Sequence, residues 1–81
     1  MKARVVVTLK QEVLDPQGRA IQRACQSLGH PQVTDVRQGK IFEIRLEGVE
    51  GQDARALLEE LGARLLANPV IEDFRVEQIE R

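Results

Sequence analysis

The chain has 81 residues, with 12 Lys and Arg against 13 Asp and Glu, and a formal net charge of −1. That is room for one small domain, residues 1–81, and no more. The near-neutral balance, with no Trp, no Tyr and two Phe, excludes the basic field and the stacking surface that nucleic-acid binding requires. Cys25 stands alone, so no disulfide framework exists. No apolar leader follows Met1 and nothing approaches the ~18 apolar residues of a membrane span, so a cytoplasmic protein with no membrane partner is expected.

The stretch "KARVVVTLK" sets Ala3, Val5, Val7 and Leu9 against Arg4, Thr8 and Lys10, the alternation of a half-buried strand. Val6 places a β-branched apolar residue among the polar ones. "DPQGRAIQRACQSLGH" then reads as a helix with both ends marked. Asp15 can accept from the free amides of the first turn, and Pro16 suits the first helical position. Ala20, Ile21, Ala24, Cys25 and Leu28 recur as one apolar stripe, Gly29 can close the helix, and Pro31 stops it resuming.

In "QVTDVRQGKIFEIRLEG", Phe42, Ile44 and Leu46 alternate with Glu43, Arg45 and Glu47, a second half-buried strand. Val33 and Val36 are out of phase, which implies a bulge or a late start. Gln38-Gly39 lies where a reversal is natural, giving a β-hairpin with Arg37 and Lys40 at its tip. "GQDARALLEELGARLLANP" is the second helix, with its stripe on Ala54, Leu57, Leu58, Leu61 and Leu65 and an i,i+4 pair of Glu60 and Arg64. Gly62 costs about 1 kcal/mol against Ala in a helix interior, which close packing would justify. Asn68-Pro69 ends the helix. "VIEDFRVEQIE" closes the chain as a strand, with Phe74 and Val76 on one face and Ile71 and Ile79 on the other.

The order β-α-β-β-α-β predicts an α+β ferredoxin-like two-layer sandwich, with both helices on one face of a four-stranded antiparallel sheet. The other face would then present Val6, Ile41 (or Val36, depending on register), Ile71 and Ile79, a patch suited to self-association.

No catalytic constellation is visible. Cys25 lies on an apolar stripe, where an inert thiol is expected, and His30 lacks companions for a metal site. Gly39-Lys40 is not a phosphate loop, because Thr34 and Ile41 occupy the places where that motif needs Gly and Ser or Thr. The carboxylates of "IEDF" alternate along a strand and read as solvated. "DPQG" has two readings: a helix cap, or a place where Gly18 lets a ligand or neighbouring chain approach the backbone.

Three stretches in order, "VTLKQEVLDPQG" (7–18), "VTDVRQGKIFEI" (33–44) and "LLANPVIEDFRVE" (65–77), closely resemble the PurS subunit family of bacterial and archaeal phosphoribosylformylglycinamidine synthase. The resemblance spans essentially the whole chain. It implies a small non-catalytic subunit for a step of purine synthesis in which formylglycinamide ribonucleotide, ATP and glutamine give formylglycinamidine ribonucleotide, ADP, phosphate and glutamate. A glutaminase subunit (PurQ) would release ammonia and a large synthetase subunit (PurL) would use ATP and magnesium. This chain would bind no cofactor, bridge the two, assist ammonia transfer, and form a dimer or dimer of dimers. Under that resemblance Arg37, Gly39 and Lys40 become docking candidates, with Asp15, Pro16 and Gly18, and Asn68 and Pro69, as companions. The rival reading is an ACT-type domain binding a small molecule near "DPQG", since it shares the element order. An RNA-binding sandwich would want strand-borne aromatics that this sequence lacks.

Overall fold

In a computed structural model of the chain, which describes the backbone of residues 1–80 and the side chains of 1–77, the elements run β1 (Lys2–Leu9), α1 (Pro16–Ser27), β2 (Gly39–Arg45), α2 (Gly51–Leu61), a π turn (Gly62–Leu66) and β3 (Glu72–Glu80). The sheet has three strands in the order β2-β1-β3, each pair antiparallel, so β2 and β3 are both edges. This corrects the expected four-stranded ferredoxin-like sandwich.

The missing strand is the stretch 33–38, and its hydrogen bonds show why. Three of its backbone groups bond to side chains and the Val33 N–H to the His30 carbonyl, where a strand would bond to a neighbouring strand. The Gln22 amide donates to Val33 O at 3.5 Å and Thr34 O at 3.2 Å, Gln26 donates to Val33 O at 3.4 Å, and Gln38 N–H goes to Asp15. Gln38-Gly39 does not reverse the chain either. Gly39 is the first residue of β2 and pairs with Thr8, so the hairpin with a cationic tip is also corrected.

The alternation of β1 is kept. Ala3, Val5 and Val7 turn inward, Val5 opposite Phe42 and Val76, Val7 opposite Phe74 and Ala3 opposite Ile44. With Leu58, Ala67 and Val76 they form the buried cluster. Leu58, Val5 and Val7 are fully enclosed, each burial contributing roughly 1.5–3 kcal/mol. A bulge opposite Arg4 and Val5 leaves Glu77 unpaired and brings Ile79 opposite Ala3; the side chain of Ile79 lies outside the described residues.

The second helix departs from its predicted stripe at the end. Ala54 and Leu58 are buried as expected, but Leu65 is 72% exposed. The wider π turn rotates the chain, so Leu66 and Ala67 face the core instead. Glu60 and Arg64 do pair, at 3.4 Å.

The first helix begins and ends where the sequence marks it. Pro16 opens it, the Gly18 amide is capped by Asp15 at 2.9 Å, and Gly29 follows with a φ of 95°. It does not, however, join α2 on the sheet. Ala20, Ile21, Ala24 and Leu28 are exposed, Leu28 by 77%, and Cys25 is half-buried; among the residues of α1 only Gly18 is buried. With α1 held away, the chain measures 49 × 27 × 14 Å, and its radius of gyration is 15.9 Å. A compact domain of this length has about 12 Å.

Candidate functional site

The three family-like stretches meet at one end of the sheet, where β1 stops, β2 begins and the turn after the π segment enters β3. Asp15 is the centre of that meeting. It is 9% exposed, and its two carboxylate oxygens accept from different segments: Oδ1 from Gly18 N at 2.9 Å, Oδ2 from Gln38 N at 2.6 Å. One side chain thus caps α1 and ties the helix root to the start of β2. The Gln38 and Gly18 amides, assisted by the nearby Arg37 charge, hold its pKa below the ordinary 3.8 against the opposing effect of burial.

Gly18 owes its identity to this junction. A Cβ there would collide with the Val36 carbonyl oxygen and lie 2.7 Å from Asp15 Oδ2. The close approach foreseen for "DPQG" is therefore made by the chain's own return segment. Pro16 is exposed beside it.

Arg37 is half-buried. Its guanidinium donates to Lys10 O at 2.9 Å and Val13 O at 2.8 Å, closing the loop between β1 and α1. Lys40 is an exposed edge residue paired with Glu72 at 3.4 Å. Glu72 also accepts from Asn68 N at 2.7 Å, which with the lysine lowers its pKa. Asn68 closes its own turn: its Oδ1 accepts from Val70 N at 3.0 Å and its carbonyl from Glu72 N at 2.7 Å, with Pro69 exposed at the bend. Lys10 N donates to Ile71 O at 2.9 Å and stitches that turn to the loop after β1. An open cleft of about 240 Å³ lies between them, lined by Leu9, Asp15, Gln17, Gln38, Lys40 and Glu72 among others.

The sequence-predicted docking residues are thus gathered in one place, and most of their polar capacity is turned inward. The residues that join them, Glu72, Gln38, Gln22 and Gln26, were not foreseen; the i,i+4 spacing of the two helix glutamines was the one signal available.

The self-association candidates are less concentrated. Val6 and Ile41 are cross-strand neighbours on the outer face, 9% and 59% exposed, while Ile71 sits in the turn before β3 at 39%. Around them run the ion pairs Lys2–Glu43 (3.4 Å), Lys10–Asp73 (3.3 Å) and Arg75–Glu77 (3.0 Å). Val6 is the buried member of a largely ionic face.

Both buried or shielded carboxylates are spent on amides, His30 is exposed on the loop after α1, and among the described residues no cluster of three or more His, Cys, Asp or Glu could hold a metal ion. Among the described residues no helix is long and apolar enough to cross a membrane. What the geometry provides is a surface of fixed shape.

Comparison with known proteins agrees across the chain. The family described as "PurS: Phosphoribosylformylglycinamidine (FGAM) synthase" matches residues 2–80. A Bacillus subtilis (strain 168) protein, phosphoribosylformylglycinamidine synthase subunit PurS, is 47% identical over 76 residues, covering 94% of this chain and 89% of that one. Among solved structures, Thermus thermophilus PurS superposes with a TM-score of 0.89 at 40% identity, covering 99% of this chain and 94% of that one. A chain in the structure of PurLQS from Thermotoga maritima gives a TM-score of 0.82 at 25% identity, with 98% and 99% covered.

Proposed function

The chain belongs to the PurS family and is a subunit of phosphoribosylformylglycinamidine synthase in purine biosynthesis, and from that premise we propose that it joins a PurQ-type glutaminase to a PurL-type synthetase. Its contribution is to hold the two at a fixed distance and orientation so that ammonia passes between their sites. Ligase chemistry and ATP binding belong to the complex, with ATP and magnesium at the large subunit and no cofactor on this chain. The protein works in the cytoplasm as a dimer or dimer of dimers, and its extended shape supports that reading. The interlocked end around Asp15, Gly18, Lys40 and Asn68 is the surface assigned to a larger subunit.

The observation that carries the proposal is the end-to-end match, over residues 2–80, to a family with a member in a PurLQS structure. Reconstitution tests it. The synthetase and glutaminase subunits are assayed for glutamine-dependent turnover with and without this chain, and with free ammonia as control. Turnover from glutamine should need the chain, whereas turnover from ammonia should not. Full glutamine-dependent activity without it would refute the bridging role.

A further inference from the structure

A cleft of about 350 Å³ opens between the first turns of α1 and the returning segment, at the small end of the range for ligand sites. Its lining is mainly polar, with Arg19 and Gln22 on the helix wall and Asp35 and Arg37 on the other. Arg19 and Asp35 are exposed, and among the described residues neither enters an ion pair, with each other or with a third group. Gln22 spends its amide hydrogens on the Val33 and Thr34 carbonyls, which leaves its Oε1 as an acceptor. Arg37 spends Nη2 on the Lys10 and Val13 carbonyls, which leaves the hydrogens of Nη1 and Nε. Asp15, the second carboxylate of the cleft, is already taken by two backbone amides.

The unspent groups are therefore donors of positive charge and acceptors of negative charge, on facing walls and in balance. A phosphate entering here would meet two carboxylates, and a metal ion would meet two guanidinium groups. A molecule carrying both signs on neighbouring atoms meets neither obstacle. The walls are also fixed in advance. The Arg37 clamp, the Gln22 and Gln26 bonds and the tight passage of Val36 over Gly18 hold them, so binding has little backbone to order.

We propose that this cleft binds a free α-amino acid as its zwitterion. The carboxylate is received by Arg19 and the remaining hydrogens of Arg37, and the ammonium by Asp35 and Gln22 Oε1. The stem of the side chain lies against Leu14 and Val36, the apolar part of the lining. Arg19 and Gln22 stand about 100–180° round the helix axis from Ile21 and Leu28, so cover over the apolar stripe of α1 leaves the cleft open. An occupant links α1 to the returning segment and adds to the glutamine bonds that already join them. This binding role goes beyond the bridging role and does not depend on it.

The experiment titrates the full chain, labelled with ¹⁵N, with glutamine and with glutamate at neutral pH, and follows the amide shifts. Glutaramate, which lacks the ammonium, glutaminamide, which lacks the carboxylate, and inorganic phosphate are titrated alongside. The expected result is saturable movement of residues 14–22 and 34–37 with one or both amino acids, at a Kd of about 1 mM or below. The two truncated analogues should bind at least about tenfold more weakly. The same loss is expected in Arg19→Gln and in Asp35→Asn, whose shifts elsewhere should match the parent because both side chains are exposed and unpaired. Absence of saturation by either amino acid at about 10 mM overturns the proposal. So does equal binding of the truncated analogues, binding of phosphate alone, or affinity untouched by both substitutions. The bridging role is read separately by reconstitution and stands or falls there.

Discussion

Replacing Gly62 with alanine sets two opposed effects of known size against each other. The residue sits in ordinary helical geometry, φ −60° and ψ −48°, so alanine fits the backbone and should contribute about 1 kcal/mol of helix propensity. The added methyl, however, falls onto the Phe74 ring, with Cγ at 2.8 Å as well as the two ring atoms beyond it. Contact at the root of the ring cannot be relieved by moving its far end alone, and overpacking of this kind costs about 1–3 kcal/mol. Packing should win, leaving Gly62→Ala destabilised by about 1 kcal/mol, or a melting temperature lower by about 4–8 °C at fixed protein concentration. In a Phe74→Leu background the obstacle is gone, and the same substitution should stabilise by about 0.5–1 kcal/mol. Urea or thermal unfolding of the four proteins gives the coupling directly. If Gly62→Ala stabilises the parent, or if its effect is the same in both backgrounds, the ring contact is not why glycine stands there.

Two further outcomes follow from the junction. Asp15 and Glu72 both have depressed pKa values in the folded chain, so their stabilisation is present above the ordinary 3.8 and 4.5 and is lost as pH falls through the lower folded values. Urea midpoints should therefore drop below about pH 4, and Asp15→Asn should flatten that drop; an unchanged pH slope would refute the role of the carboxylate. Arg37→Met should raise amide exchange in the loop of residues 10–15 by about tenfold or more, because two carbonyls lose a charged donor. Lys40→Met should leave the fold nearly as stable, since more than half of its side chain is exposed in its ion pair. Equal effects of the two substitutions would contradict this division.

Local signals were legible wherever a residue acts on its own neighbours. The Asp15 cap, Pro16, Gly29 and the alternation of β1 and β2 all stand as written in the sequence, because each depends on a few adjacent residues. What failed were inferences about where those pieces go. The stripe of α1 implies burial but not against which surface, and the step from stripe to own sheet placed both helices on one face. The stretch 33–38 misled for a related reason. Its strand-like residues bond to glutamines on α1 and to Asp15, partners 7 to 23 positions away that the local alternation does not announce. Arg37 illustrates the same gap: a cation flanking Gln-Gly reads as a hairpin tip offered to a partner, and only the fold brings the Lys10 and Val13 carbonyls to it. The family resemblance, by contrast, depended on residue order alone and survived the change in topology.

A sheet with two unpaired margins is a template on which further strands can add, the route from an open edge to aggregation. Here both outer strands carry charge at close intervals, Lys40, Glu43 and Arg45 on one and Glu72, Asp73, Arg75 and Glu77 on the other. Most alignments of a stray strand set like signs side by side, which raises the energy of each wrong addition. The molecule can thus keep both borders accessible to a chosen neighbour while remaining a poor seed for disordered growth.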